Sequence, residues 1–369
     1  MPMVFFRADA SVTIGSGHVM RCLTLADELQ RRGAEVMFIC REHAGHMAEH
    51  IRRQNIPVAL LKKNGSAAPA AKGERMYAAW LGAAWDDDAR GTIAVLAGRN
   101  PDPQKSWLVV DHYGLDRRWH DAVRPQVRHI LAIDDLADRP LSCDLLLDQT
   151  LGREPGDYRH LVPAHCGLLL GARYALLRPQ FAAYRQAALK RRRQWQGIGR
   201  LLVSLGGMDP DNLTGRVLQG LAQIRWPGPI AVDVVLTSQA PHLEEVQSLA
   251  SQSALNITVC SDVTNMAELM SRADLAIGAG GTTSWERCCL ALPTVLVVEA
   301  ENQRKIAAEL EKAGAVVVIS SNALEEGLLR EVAVFMKDPA RYNRMAVAAA
   351  AVCSGGGAAL VAERMSNYV

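Results

Sequence analysis

The chain is predicted to be α/β, two Rossmann-like doubly wound domains facing a central cleft, and three observations predict it. Its 369 residues exceed what one hydrophobic core usually organises, so two domains are expected. Short apolar runs alternate with helical stretches along the chain, the pattern of parallel sheets covered on both faces. The alternation pauses at a basic, polar stretch, QAALKRRRQWQGIGR (residues 186–200), and then restarts at RLLVSLGG.

The first element is an apolar strand, MVFFRADA, followed by the glycine-rich turn in TIGSGHVMRC. A helix follows, because Val19, Cys22, Leu23, Ala26 and Leu29 recur at helical spacing, Arg31 and Arg32 fall in the last turn, and Gly33 suits the position just past it. AEVMFIC is a second buried strand. Residues 62–106 interrupt the rhythm with an Ala/Gly/Pro-rich loop and a helix expected from Glu74 to about Ala97. SWLVVDHYG, RHILAIDDL and CDLLLDQT continue the sheet, and a helix is expected over 179–192. The N-terminal domain is therefore drawn at 1–185, a linker at 186–199 with KRRR as a solvated helix end, and the C-terminal domain at 200–354. Within it, IAVDVVLT, ITVCSDV, LAIGAGG, TVLVVEA and AVVVIS are the further strands.

Composition narrows the function. Lys and Arg number 41 against 39 Asp and Glu, a formal charge of +2, so no global field draws the chain to nucleic acid. The N-terminus meets Arg7 and Asp9 at once, which fits neither a secretory leader nor a membrane span, and no stable membrane association is expected. Eight cysteines are scattered without a CxxC pair, so neither zinc nor a disulfide framework is expected and a cytoplasmic location fits.

The strongest ligand signal is LAIGAGGTTSWERCCLALPTVLV (residues 275–297). A strand runs into a turn with Gly280 and Gly281, and Thr282, Thr283 and Ser284 open a helix, whose unpaired N–H groups and positive dipole end stabilise an anion. Glu286, one turn in, suits the hydroxyls of a ribose. SLGGMDPDN places Gly206 and Gly207 where a phosphate or sugar can approach the backbone, with Asp209 and Asp211 fitting helix capping. Val263 and Met266 stand where a base edge could be met, although a methionine at helical spacing also suits a core. Glu301, Asn302 and Gln303 follow a buried strand, either as partners for sugar hydroxyls or as a plain helix start. VVDHYGLD ends a strand with Asp111, His112 and Tyr113, at the end that faces a crevice. Asp134 and Asp135 lack matching metal ligands and suit a turn. In TIGSGHVMRC the third small residue of a dinucleotide fingerprint would fall at Met20, so that fingerprint fails. Gly15 and Gly17 suit close backbone approach, and His18, in the first helical turn, serves equally as a general base or as a cap.

FRADASVTIGSGHVMRCLTLA, VVDHYGLD, CDLLLDQ, GLLLGARYALLRPQF, LLVSLGGMDPDN and GAGGTTSWERCCLALPTVLVVEAENQ, in that order, resemble one family. It is the UDP-2,4-diacetamido-2,4,6-trideoxy-β-L-altropyranose hydrolases of pseudaminic acid biosynthesis, similar in fold to GT-B glycosyltransferases. The resemblance implies that water attacks the anomeric carbon, the C–O bond breaks, UDP leaves and the sugar is released with inverted configuration. It implies His18 as the base, Tyr113 and Asn302 near the sugar, Gly280 to Ser284 at the diphosphate, Glu286 at the ribose, and Val263 and Met266 at uracil. It implies no cofactor and no metal, a UDP-sugar as the one small-molecule partner, and a last helix at 355–369 crossing back to the N-terminal domain; a monomer is expected. Residues 62–106 are largely absent from such relatives, so they either alter the sugar end of the site or decorate the surface. A glycosyltransferase, a hydrolysing 2-epimerase and a nucleotide-sugar sensor are the rival readings.

Overall fold

The structure, a computed structural model, describes residues 2–62, 77–99, 102–298 and 301–368, with Glu301 and Asn302 described by backbone alone. The expected helix start at Glu74 lies outside these residues. Contacts divide the chain into two units, Met1–Leu176 with Gly357–Val369, and Leu177–Gly356.

In the first unit β1 (Met3–Ala8), α1 (Gly17–Arg31), β2 (Glu35–Arg41), α2 (Ala48–Arg52), β3 (Val58–Leu61), α3 (Trp85–Arg99), β4 (Ser106–Asp111), α4 (Arg117–Val123), β5 (His129–Ile133), β6 (Leu145–Asp148) and β7 (Gly167–Leu170) follow one another. The seven strands form a parallel sheet in the order β3-β2-β1-β4-β5-β6-β7. Successive side chains alternate between its faces, which is why the strands read as unbroken apolar runs. Val4 and Phe6 join the core with Val19, Cys22 and Leu25 of α1, while Phe5 joins the opposite core with Leu96 of α3 and Trp119 of α4. Strands β3 and β7 were not among the strands expected from the sequence. Both lie at the edges of the sheet and are mostly half-buried, so neither carries the long apolar run of the central strands.

The second unit holds α5 (Pro179–Arg193), β8 (Arg200–Ser204), α6 (Leu213–Ala222), β9 (Ala231–Leu236), α7 (Leu243–Gln252), β10 (Asn256–Ser261), α8 (Met266–Arg272), β11 (Leu275–Ala279), α9 (Thr283–Cys289), β12 (Thr294–Val298), α10 (Glu301–Lys312), β13 (Val317–Ser320), α11 (Leu324–Lys337) and α12 (Pro339–Val352). Its six parallel strands run β10-β9-β8-β11-β12-β13.

Two expectations change. Residues 186–199 are not a linker, because 186–193 complete α5 and the basic run anchors it. Arg192 is buried and donates to the carbonyls of Ala273 (2.5 Å) and Met270 (2.9 Å) at the C-terminal end of α8, and Arg191 pairs with Asp274 at 2.6 Å. Unpaired carbonyls at a helix end attract a guanidinium, so the KRRR run is only partly a solvated helix end. The 62–106 stretch forms a 3-10 turn, Ala78–Leu81, before α3 begins at Trp85. The chain end, α13 (Gly357–Ser366), packs against α1 within the first unit, and Gly357 lies against the Ala175 backbone too closely to admit a side chain. Pro339–Ser366 has the length and apolarity of a membrane span, but Cys353 to Gly356 break it. Several of its apolar residues are core residues, Tyr342 and Met345 in one unit and Val361 and Met365 in the other, while Val347 and Leu360 are exposed.

Sheet order positions the candidate residues. In the first sheet the chain leaves β1 in one direction through β2 and β3, and in the other through β4 to β7. In the second sheet the same reversal falls between β8 and β11. Loops at the carboxyl ends of the two strands flanking such a switch diverge and leave a crevice.

Candidate functional site

At the first switch point the loop after β1 meets the end of β4. Ser11 accepts from Gly15 N (2.8 Å) through its carbonyl and from Ile14 N (2.9 Å) through its hydroxyl. This tight turn needs a left-handed residue, and Gly15 supplies it at φ +79°. Nothing lies within 4 Å of where a side chain on Gly15 or Gly17 would project, so both border open space.

His18 is nearly buried at 8% exposure, and its Nδ1 lies 2.6 Å from Asp111 Oδ1. This speaks against the capping reading. Ser16 is the N-cap residue of α1, and His18 directs its ring to a carboxylate 93 residues away rather than to the helix N–H groups. With Nδ1–H donating to Asp111, Nε2 carries the lone pair, and among the described residues it has no protein partner. Arg21, one helical turn on, grips Asp111 through Nε and Nη2, both at 2.6 Å, and reaches Asp135 at 3.1 Å. Arg21 and His18 hold the Asp111 carboxyl far below the usual range against the opposing effect of burial. The Tyr113 hydroxyl donates to Asp135 at 2.5 Å, and its ring meets the His18 ring edge-on at 4.7 Å between centroids.

Beneath this layer is a second, fully buried network. Arg7 pairs with Asp9 (2.6 Å) and Asp88 (2.6 Å), Arg41 with Asp88 (2.5 Å), and Trp119 donates to Asp88 at 2.9 Å. His112 belongs here. Its Nδ1 accepts from Gly114 N at 3.0 Å, its Nε2 stands 3.4 Å from Asp9, and burial pushes it down to about 4, so it is a neutral structural histidine.

At the switch point of the second sheet the turn after β11 carries Gly280, Gly281 and Thr282 into α9. Arg287 is buried beneath it and donates to Ala279 O (2.7 Å), Ser284 Oγ (3.1 Å) and Thr283 Oγ1 (3.4 Å). Desolvation lowers this guanidinium to about 10. Gly278 is required there, since a side chain would strike Arg287. Thr282 caps α9 without a side-chain capping bond, while Ser284 is buried and already accepts from Arg287 and, at 3.4 Å, from Gly281 N. Burial raises the Glu286 carboxyl, opposed by Arg178 at 3.4 Å and by Arg287.

Gly206 and Gly207 follow β8, Gly206 at φ +109° and Gly207 with its carbonyl accepting from Thr237. The N-terminus of α6 is occupied internally, since both Asp209 oxygens accept from Leu213 N (2.9 Å) and Thr214 N (2.8 Å). Val263 and Met266 are half-buried, Met266 as the first residue of α8. Asn302 is the second residue of α10 in its backbone, and its side chain lies outside the described residues.

The turn residues, His18 and Tyr113 were visible in the sequence. Asp111, Arg21 and Asp135 were not assigned roles with His18, and Tyr77 and Trp80 went unremarked. The one local signal was Arg21 at i+3 from His18 on a helix, a spacing that puts both on one face.

Two parallel-sheet units of this kind, each opening its crevice at a switch point, define a GT-B-fold protein. Residues 205–364 match the glycosyltransferase family 28 C-terminal domain. The UDP-2,4-diacetamido-2,4,6-trideoxy-β-L-altropyranose hydrolase of Campylobacter jejuni is 25% identical over 312 residues, 84% of this chain and 97% of its own, and the resemblance carried by the motifs thus extends over most of the chain. MurG of Acinetobacter baumannii shares the fold at a TM-score of 0.72 and 17% identity over 99% of both chains. UDP-GlcNAc 2-epimerase of Neisseria meningitidis, solved bound to UDP-GlcNAc, does so at 0.60 and 13% identity, again over 99% of both.

Proposed function

We propose that the protein hydrolyses UDP-2,4-diacetamido-2,4,6-trideoxy-β-L-altropyranose to UDP and the free diacetamido sugar, a step of pseudaminic acid biosynthesis. The observation that carries this reading is the His18–Asp111 pair at 2.6 Å, with Nε2 left without a protein partner among the described residues, beside the open glycine turn. His18 Nε2 takes a proton from water as the water oxygen bonds to the anomeric carbon. The bond from that carbon to the diphosphate oxygen breaks, its electron pair leaves with UDP, and the configuration inverts. Asp111 holds the ring in the required tautomer and stabilises the imidazolium formed, as the carboxylate of a catalytic triad does. Tyr113 is positioned by Asp135 to line the sugar side, and Asn302 is assigned to the sugar as well.

UDP is assigned to the second unit. Gly280, Gly281, Thr282 and Thr283 offer N–H and O–H donors to the diphosphate above the buried Arg287 cation, Ser284 shapes the turn, and Glu286 accepts from the ribose. Gly206 and Gly207 leave room beside the phosphates, and Val263 and Met266 meet the base. UDP departs as a stable dianionic or trianionic group, so one base suffices and the second carboxylic acid of ordinary glycosidases is not needed. In this reading the protein acts as a cytoplasmic monomer without cofactor or metal.

The match to a glycosyltransferase domain and the fold shared with MurG favour a second reading, transfer of the same sugar to an acceptor hydroxyl. One experiment separates them. The purified protein is incubated with the nucleotide sugar in ¹⁸O water, and UDP and sugar are followed by NMR and mass spectrometry. Hydrolysis at carbon puts the label in the sugar. Label in UDP refutes C–O cleavage, and turnover only after an acceptor is added supports transfer.

A further inference from the structure

Residues 62–106 interrupt the α/β alternation, yet the described part of this stretch is built into the His18 site rather than laid over the surface. Asp88 of α3 is fully buried and holds Arg7 of β1, Arg41 of β2 and Trp119 of α4. Leu81 sits in the core with Leu96 and Leu108. Gly82 adopts φ +65°, and a side chain there would come within 2.6 Å of His43. The 3-10 turn is therefore anchored at its C-terminal end, and it presents two aromatic rings to the site. Trp80 stands edge-on to His18 with centroids 6.4 Å apart, and Tyr77 packs on Trp80 (4.7 Å) and on Tyr113 (5.1 Å). The turn also crosses the DHYG loop at close range, where a side chain on Gly114 would lie 3.1 Å from Tyr77 O.

Tyr77, Trp80 and Tyr113 are all half-buried, each leaving part of an aromatic surface open beside the base. Such faces attract weakly polarised C–H groups and give an apolar group a place out of water. They stack on the C–H face of a pyranose, and each methyl carried by the ring adds apolar surface for them to cover. The sugar of the proposed reaction is unusual in this respect. It carries two acetamido methyls and a C6 methyl, and its only free ring hydroxyl is at C3 while C1 bears UDP.

We infer that Tyr77 and Trp80, with Tyr113, form an aromatic subsite beside His18 that receives the methyl-bearing groups of an acetamido-6-deoxy sugar and sets which nucleotide sugar is processed. The inference rests on the hydrolase reading for its substrate class, while the subsite itself stands on the packing of the three rings. Tyr77 and Trp80 are specificity residues in this scheme, and the proton transfer stays with His18.

The test compares wild type with Trp80→Ala, Tyr77→Ala and Trp80→Phe. Each is assayed on the diacetamido-trideoxy UDP-sugar and on UDP-N-acetylglucosamine, which has one acetamido group and a C6 hydroxyl. Saturation-transfer NMR records the signal of the sugar methyls relative to the uracil protons of the same molecule, a readout that needs no turnover. Trp80→Ala and Tyr77→Ala are expected to lose about ten- to hundredfold in kcat/KM on the diacetamido sugar, in the range one apolar group contributes in a pocket. They are expected to discriminate less between the two substrates, to lose methyl saturation and to keep their affinity for UDP. Trp80→Phe, which keeps an aromatic face, should retain most of the activity and shows that the site is intact. An active wild type with both alanine variants within twofold of it, and methyl signals unchanged, overturns the subsite. A wild type that binds the sugar through its methyls, loses that signal on Trp80→Ala and yet releases no UDP leaves the subsite standing and removes the hydrolase reading.

Discussion

Asp111→Asn tests the arrangement at its most sensitive atom. The carboxylate is fully buried and makes three close charged contacts, to His18 Nδ1, Arg21 Nε and Arg21 Nη2, each at 2.6 Å. Asparagine keeps the shape but has one acceptor oxygen and one N–H₂ donor. Oδ1 is shared by His18 Nδ1 and Arg21 Nη2 while Oδ2 is held by Arg21 Nε, and in the orientation that keeps the oxygen on Arg21 Nε the amide nitrogen faces His18. Nδ1 must then accept, the proton moves to Nε2, and the base is lost. General base catalysis contributes about 10²–10⁴-fold, and a tautomer reversal in a triad costs about 10⁴. A fall in kcat of about 10³–10⁴ is expected, roughly 4–5.5 kcal/mol in the barrier. Arg21 loses a charged partner but keeps Asp135 at 3.1 Å, so the stability cost should sit near the low end of that for a broken buried pair, about 3 kcal/mol. UDP affinity should not change, because the residues assigned to UDP belong to the other unit. The assay is UDP release followed by ³¹P NMR, with calorimetric titration of UDP and a denaturant melt on the same preparation. A folded Asp111→Asn protein with kcat within tenfold of wild type, while His18→Ala is inactive, would show that the carboxylate does not set the tautomer.

Three further outcomes are expected. Glu286→Gln should weaken UDP binding about tenfold with little change in kcat at saturation, since a hydrogen bond to a charged group is worth roughly 1.5–3 kcal/mol and the amide keeps part of it; unchanged UDP titrations would remove Glu286 from the nucleotide site. Asp88→Ala leaves Arg7 and Arg41 without a shared counter-charge and should cost about 3–5 kcal/mol, on the order of 10 °C in Tm; an unchanged melt would mean that α3 is not held by this carboxylate. Stability should also fall as pH drops from about 6.5 towards 4. Burial lowers His112 to about 4 and His120 to about 3, so in that window the unfolded chain takes up protons that the folded chain refuses. Each ring then contributes up to about 1.4 kcal/mol per pH unit, and either imidazole titrating near its ordinary value in NMR would contradict this.

The strands and helices were legible because strands buried on both faces leave continuous apolar runs such as LLVSL and TVLVV, and because helices cut between them at glycine turns. His18 was legible for the same reason, as a histidine one residue past such a turn. Its role was not, since the choice between cap and base depends on Asp111, which reaches it only because β1 and β4 are neighbours in the sheet. Periodicity describes which face a residue takes and is silent on which strand lies alongside. The acids that open α3 make the same point. Asp86, Asp87 and Asp88 stand together in the sequence, yet Asp86 and Asp87 pair with Arg90 near the surface, while Asp88 is fully buried among partners 31, 47 and 81 residues away. No local rule separates the third acid from the first two. A buried carboxylate shared by two guanidinium groups cannot be an ornament of the surface, because without it Arg7 keeps only Asp9 and Arg41 loses its carboxylate partner away from water. The helix it belongs to is therefore tied to the strands β1 and β2 and to α4, and the turn carrying Tyr77 and Trp80 runs into it through the core residue Leu81. A stretch that looks like an interruption in one dimension thus becomes part of the wall of the site in three.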